Sequence, residues 1–108
     1  MITRLQVSST TAIDGVLYSN TDGQSLKTSI KLIQIVNTSS QSETVELWIR
    51  DNATNQNVVC LLPKDTPLSA GEVLSDEAPH NVMAGQHIYY NASSTDVMIE
   101  LSLSEGYW

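Results

Sequence analysis

The chain has 108 residues, 41% hydrophobic and 16% charged, which is the length and composition of one folded domain rather than of a disordered segment. Its net charge of −7 arises from 12 acidic and only 5 basic side chains, so no basic stripe exists to bind nucleic-acid phosphates. One cysteine and no phenylalanine exclude an internal disulfide and leave Val, Ile and Leu to build the core.

The first thirty residues carry weak structural signals. Short apolar segments at Ile2–Val7 and Ile13–Tyr18 are predicted to be strands, and Asn20–Gly23 to be a turn. Residues 1–29 are therefore either a first hairpin of the domain or an N-terminal arm that adds a strand to a neighbouring subunit. No basic head precedes a long apolar stretch, so no signal peptide is predicted. No apolar run approaches the ~20 residues that span a bilayer.

The next segment, Ile30–Val36, is apolar on both faces. Leu32 and Val36 alternate with Ile33 and Ile35, whereas a half-covered strand has one apolar face. Two interpretations follow. Either the segment is a central strand covered on both sides, where the second cover is often another subunit, or a β-bulge shifts its register.

Two later segments alternate strictly between apolar and mostly polar residues, which is typical of strands with one buried face. They are Thr44–Arg50 and Val97–Ser104. Weaker strands are predicted at Val58–Leu62, Gly71–Leu74 and Gln86–Asn91, and segments rich in Gly, Pro, Asn and Ser, such as Asn37–Ser42, separate the strands. About seven or eight short strands predict one all-β domain over residues 1–108, an antiparallel β-sandwich.

The residue types that carry catalysis are present, but their spacing does not indicate an active site. His80 is predicted to lie in a loop, and His87 to begin a strand with its side chain facing solvent or a subunit. No nucleophile turn, converging carboxylates, phosphate-binding loop or metal-ligand spacing occurs. Cys60 lies in an apolar run and is predicted to be a buried, inert thiol. We expect no enzyme, no catalytic or metal-binding residues and no cofactor.

Aromatic residues are the clearest functional signal. Trp48 lies on the polar face of its strand with Glu46 and Arg50, a position typical of an interface anchor. Tyr89 and Tyr90 face opposite sides of one strand, so only one of them can enter the core.

The sequence closes with an aromatic tail over residues 105–108, in which Tyr107 and Trp108 follow Gly106. This tail either docks on a partner or folds back over its own domain. The predicted protein-interface residues are Trp48, Tyr107, Trp108, Ile2, Leu5 and Val7.

Several strand–turn segments resemble a pattern of small structural proteins from tailed bacteriophages. In Lys31–Ser40 a hydrophobic strand ends in Asn-Thr-Ser, and Thr44–Ile49 follows after a polar hairpin. The pattern continues in Leu61–Pro63, Leu68–Glu72, Met83–Ile88, Ala92–Ser93 and Val97–Glu105, so that it covers residues 30–105. The resemblance implies an immunoglobulin-like or jelly-roll-like sandwich without active-site residues.

The resemblance also implies a place in a virion, after synthesis in the host cytoplasm. The expected function is that of a capsid decoration (cement) protein, which stabilises the shell through many weak protein contacts. Its expected partners are the major capsid protein, other virion proteins and sister copies in a dimer or trimer, but no nucleic acid or membrane. Two alternatives are a neck, head–tail, tail or fibre-base subunit, and a carbohydrate-binding module that uses exposed aromatics.

Overall fold

The computed structural model describes residues 2–8, 13–20, 26–77 and 80–107, and for residues 2–8, 26–27 and 107 it describes the backbone only. The described residues form nine strands and no helix. The strands are β1 (Ile2–Ser8), β2 (Asp14–Asn20), β3 (Leu26–Asn37), β4 (Glu43–Asp51), β5 (Asn57–Leu68), β6 (Val73–Asp76), β7 (His80–Val82), β8 (Gln86–Ala92) and β9 (Val97–Tyr107).

The strands form two antiparallel sheets. One has the order β1-β9-β3-β6, with β7 also paired to β3, and the other has the order β2-β8-β4-β5. The first strand thus pairs with the last and the second with the last but one, while the third pairs with both β6 and β7, and the fourth pairs with β5. The predicted all-β antiparallel sandwich is confirmed. The sequence left an immunoglobulin-like and a jelly-roll-like topology open. The observed strand order is that of a double-sheet jelly roll.

The core lies between the sheets and is built from Ile, Leu and Val side chains, as expected of a chain without phenylalanine. Strands β4 and β9 bury the apolar faces that their alternation predicts. The largest fully buried side chains include Ile33, Ile35, Val45, Leu47, Ile49, Ile99 and Leu101.

The two-faced apolar segment on β3 contains a β-bulge. The register between β3 and β9 shifts between Ile30 and Leu32. Ile30 and Ile33 are both buried, on either side of the shift, whereas Leu32 is only half-buried. Of the two interpretations above, the structure therefore shows the register shift, on a strand that is also central in its sheet.

The N-terminal strand β1 pairs with β9 of its own chain. The register runs from Ile2 opposite Gly106 to Ser8 opposite Glu100, and it places Leu5 opposite Leu103. Among the described strands β1 is the outermost on that side of its sheet.

A buried asparagine connects the loops at one end of the sandwich. Asn37, the last residue of β3, is fully buried, and its Nδ2 donates to the carbonyl oxygens of Gln41, Leu68 and Ser69 at 2.8, 3.1 and 3.2 Å. Its Oδ1 accepts from the backbone N–H of Ser39 at 2.9 Å. One side chain therefore links the loop after β3 to the loop after β5.

Candidate functional site

A row of apolar and aromatic residues crosses the outer face of the four-stranded sheet, one residue from each strand. Val16 on β2 is paired with Tyr89 on β8, Tyr89 with Trp48 on β4, and Trp48 with Cys60 on β5. Directly paired residues of antiparallel strands project from the same face of a sheet. Val16 is 55% exposed, Cys60 is exposed, and the two aromatic residues are half-buried. We call these four residues the transverse row.

Trp48 occupies the middle of the transverse row, and a hydrogen bond holds it in place. Its indole Nε1 donates to Oε2 of Glu46 at 2.9 Å. The polar atom of the ring is therefore satisfied within the chain, and the remaining surface of the ring is apolar. A preorganised aromatic side chain of this kind loses little conformational entropy when it packs against a protein partner.

Tyr89 is covered by a cation. The guanidinium carbon of Arg50 lies 3.6 Å from the centre of the Tyr89 ring, within the range of a cation–π contact. Arg50 Nε also donates to Oδ1 of Asn57 on β5 at 2.8 Å. The guanidinium thus lies where a sugar ring would stack on Tyr89, which weighs against this ring as part of a carbohydrate platform.

His87 lies beside Arg50 on the neighbouring strand and is buried, with 6% of its surface exposed. Our prediction that its side chain faces solvent or a subunit is wrong. The turn between β4 and β5, which contains Asn52, covers the side chain. The ring Nδ1 and Asn52 Oδ1 are 2.6 Å apart, so Nδ1 carries the proton that this acceptor requires. Burial lowers the pKa of His87, the nearby charge of Arg50 lowers it further, and Asp51 opposes them.

This pKa shift predicts a loss of stability in mild acid. The unfolded chain takes up a proton near the ordinary histidine pKa of about 6.5, whereas the folded chain does so only at lower pH. The contribution of neutral His87 to the free energy of unfolding is therefore fully present above about pH 6.5 and is lost as the pH falls below that value. In thermal melts at pH 7.5 and 5.5, His87→Gln should show a smaller difference in Tm than the wild type.

Asn52→Ser is the control for that experiment, since it keeps the histidine and changes only the hydrogen-bond partner. It should retain a clear loss of Tm on acidification. An unchanged difference in Tm for His87→Gln would show that His87 does not cause the acid sensitivity.

Cys60 is exposed, so the prediction of a buried thiol is wrong. The cysteine lies on β5, which has a described neighbour on one side only. The register between β4 and β5 shifts next to it, so that Leu47 pairs with Leu62 but Trp48 pairs with Cys60. Leu61 takes the buried position instead. Every residue of an apolar run is buried only where a second layer packs on each face of the sheet. Cys60 projects from the outer face, on which the described residues place no second layer.

A second apolar patch lies on the outer face of the opposite sheet. Met98 on β9 pairs with Val36 on β3, and Val36 pairs with Val73 on β6. Val73 is 54% exposed and Met98 is 44% exposed. The next row of that face is polar, with Gln34 between Glu100 and Ser75. This patch is shorter than the transverse row and contains no aromatic residue.

His80 begins β7 rather than lying in a loop, which corrects the sequence prediction. Its Nε2 lies 3.7 Å from Oδ2 of Asp76. Within the described ranges, no three His, Cys, Asp or Glu side chains group so as to hold a metal ion. The same residues include no helix of sufficient length and apolarity to cross a membrane.

No protein-family model and no curated protein matches the sequence. The fold is similar to a solved structure described as "Bacillus endospore appendages form a novel family of disulfide-linked pili", with a TM-score of 0.62. The two chains are 14% identical, and the match covers 99% of this chain and 86% of the other. The similarity shows a shared all-β fold over nearly the whole chain.

The predicted interface residues lie in separate parts of the molecule. Trp48 is central in the transverse row, whereas Ile2, Leu5 and Val7 lie on β1 at an edge of the other sheet. Tyr107 pairs with Leu26 through its backbone. Trp108 lies outside the described residues.

Sequence reasoning missed Val16 and Cys60 as members of the transverse row, in which Val16 pairs with Tyr89 and Cys60 pairs with Trp48. Tyr89 was singled out, but no sequence signal placed it next to Trp48. Their contact depends on the pairing of β4 with β8, strands that lie far apart along the chain.

Proposed function

We propose that this chain is a non-enzymatic structural subunit that assembles with other protein chains. The transverse row carries the proposal, because it places a hydrogen-bonded tryptophan on the outer face of a sheet, with an exposed cysteine on the next strand. Interfaces draw most of their binding energy from a few such aromatic anchors. The similarity in fold to a pilus-related structure supports an assembly role.

The charge of the chain limits where contacts between copies can form. With a net charge of −7, two copies of the chain repel each other. The transverse row itself contains no charged residue, and the two charged side chains in contact with it, Glu46 and Arg50, have opposite signs, so a partner can cover it without burying a net charge of one sign. Many weak contacts of this kind, repeated by symmetry, can hold a shell or a filament together.

Two kinds of assembly fit these features. Decoration of a phage capsid, with a neck or tail position as its variant, rests on the sequence resemblance of residues 30–105 and stays a hypothesis. A filament is suggested by the structural similarity, whose description names disulfide-linked pili. The 108 residues contain one cysteine, which can join two copies but cannot link a continuous chain of them.

Carbohydrate binding is the weaker alternative. A platform of several aromatic rings must be free to stack on sugars, whereas Arg50 lies over the ring of Tyr89 and leaves Trp48 as the single uncovered ring of the transverse row. A titration with polysaccharides, followed by tryptophan fluorescence, should therefore show no saturable change.

The assembly proposal predicts that Trp48→Ser weakens self-association. Loss of a central aromatic anchor costs about 2 kcal/mol, which corresponds to roughly a thirtyfold higher dissociation constant. Sedimentation velocity over a range of concentrations measures this change. Met98→Ser, on the outer face of the opposite sheet, is the matched control and should leave the association unchanged.

Thermal melts of both variants establish that they are folded. If Met98→Ser dissociates the assembly and Trp48→Ser does not, the interface lies on the opposite sheet and the proposal is wrong in its location. Electron microscopy of the assembled protein then separates the two kinds of assembly, since a filament subunit forms fibres and a decoration protein forms discrete oligomers that bind to shells.

A further inference from the structure

The edge of the four-stranded sheet at β5 is unusual in what it exposes. Within the described strands, β5 is bordered by β4 alone, so its other side presents unpaired backbone N–H and C=O groups. Its second half is distorted, because Thr66 Oγ1 donates to the carbonyl of Pro63 at 2.6 Å and Asp65 has a φ of 61°. The first half, Asn57–Leu62, is the part that another strand can reach, and we call it the β5 edge segment.

The β5 edge segment lacks the features by which proteins usually protect a sheet edge. Charged side chains and prolines on edge strands normally prevent pairing with another chain. The other outer strands contain ionisable residues: Arg4 on β1, Asp14 on β2, Asp76 on β6 and His80 on β7. In β5 the prolines and charges, Pro63, Lys64, Asp65 and Pro67, all lie in the distorted second half, and the β5 edge segment has neither a charge nor a proline.

Apolar side chains are also exposed along this segment. Val58 is 52% exposed, Val59 is 38% exposed, and Cys60 is exposed. A sheet edge that combines free backbone groups with exposed apolar residues is stabilised when a further strand covers it.

We infer that a second copy of this chain covers the edge, with the two β5 edge segments paired antiparallel about a two-fold axis at Cys60. The inference rests on the proposed assembly function and names one of its interfaces. An identical strand suits this edge because antiparallel pairing about a two-fold axis is self-complementary. It also places no like charges opposite each other, in a protein whose net charge is −7.

The position of the axis follows from the transverse row. That row ends at Cys60, the residue on β5 that is paired with Trp48. An axis at Cys60 joins the rows of two copies into one strip across an eight-stranded sheet. The exposed Val58 and Val59 of each copy are then covered by the other copy.

Two-fold strand pairing has a geometric signature that random collisions lack. In such a pairing, the residue numbers of two opposite residues always have the same sum. An axis at Cys60 therefore places residue 58 of one copy opposite residue 62 of the other. The distance between the Cα atoms of the same residue in the two copies grows by ~7 Å for each position away from the axis, because the rise per residue counts twice. A disulfide tolerates a Cα separation of only about 4.4–6.8 Å.

Cysteine cross-linking of the full chain tests the inference. The wild type should form a Cys60 homodimer under mild oxidation. Two single-cysteine proteins, Val58→Cys/Cys60→Ser and Leu62→Cys/Cys60→Ser, should each cross-link with themselves roughly tenfold or more slowly. A mixture of the two should regain the fast rate by forming the mixed dimer, which non-reducing electrophoresis and mass spectrometry identify.

A charge on the edge provides an independent variant. Val58→Lys should slow the cross-linking of Cys60 by roughly tenfold or more, because it places a charge in the strand pairing, whereas Val58→Thr should not. Thermal melts establish that both variants are folded.

Equal cross-linking at positions 58, 60 and 62, or none at any of them, would overturn the two-fold pairing. If the chain still sediments as an oligomer in that case, the assembly function survives and only this interface is wrong. A chain that remains monomeric at every concentration contradicts both.

Discussion

Asn37→Ala should lower the free energy of unfolding by about 3 kcal/mol or more. The substitution removes a fully buried amide and leaves the carbonyls of Gln41, Leu68 and Ser69 without this donor. Each buried polar group that loses its hydrogen-bond partner costs about 1–3 kcal/mol. Urea titration followed by circular dichroism measures the change.

Two further variants make that test specific to the hydrogen bonds. Asn37→Asp has nearly the same shape but would direct a carboxylate oxygen at carbonyl oxygens, so it should be strongly destabilised as well. Thr38→Ala is the matched control, since it removes one exposed hydrogen bond to the carbonyl of Asp96 and should cost less than about 1 kcal/mol. Equal stability of Asn37→Ala and Thr38→Ala would show that Asn37 does not hold the loops together.

Leu47→Ala should lower the free energy of unfolding by about 2–5 kcal/mol, because it leaves a cavity in a close-packed interior. Leu47 is fully buried on the central strand β4, paired with Tyr90 on one side and Leu62 on the other. The same urea titration measures the loss. Val16→Ala, at an exposed position of the same sheet, should change stability by less than about 0.5 kcal/mol. A similar effect of the two substitutions would contradict the assigned core.

The parts of the fold that depend on local pattern could be predicted from the sequence. The alternation of Val45, Leu47 and Ile49 identified both the strand β4 and its buried face, because side-chain direction in a strand has a period of two residues. The apolar residues on both faces of Ile30–Val36 likewise suggested a β-bulge as one of two interpretations. The register shift between Ile30 and Leu32 confirms the bulge.

The parts that depend on pairing between distant segments could not be predicted. Nothing local to β1 specifies that it pairs with β9, at the other end of the chain. For the same reason the row that joins Val16, Tyr89, Trp48 and Cys60 was not apparent, although each residue is visible in the sequence.

Burial was wrongly predicted at positions where segments distant in the sequence determine whether a side chain is covered. Cys60 lies in an apolar run but at a sheet edge, and is exposed. His87 is covered by the turn at Asn52 and is buried. Asn37 belongs to a segment that was predicted only as a polar strand boundary, yet its side chain is fully buried. Such positions are settled by tertiary contacts, which residue type and spacing do not encode.

In the proposed function, assembly covers the outer face of the four-stranded sheet. Hydroxyl-radical footprinting with mass spectrometry, carried out at low and high protein concentration, measures this directly. We expect oxidation of Trp48 to fall as copies associate, while oxidation of Met98 on the opposite face stays constant. Association that leaves Trp48 as reactive as it is in the monomer would contradict the claim.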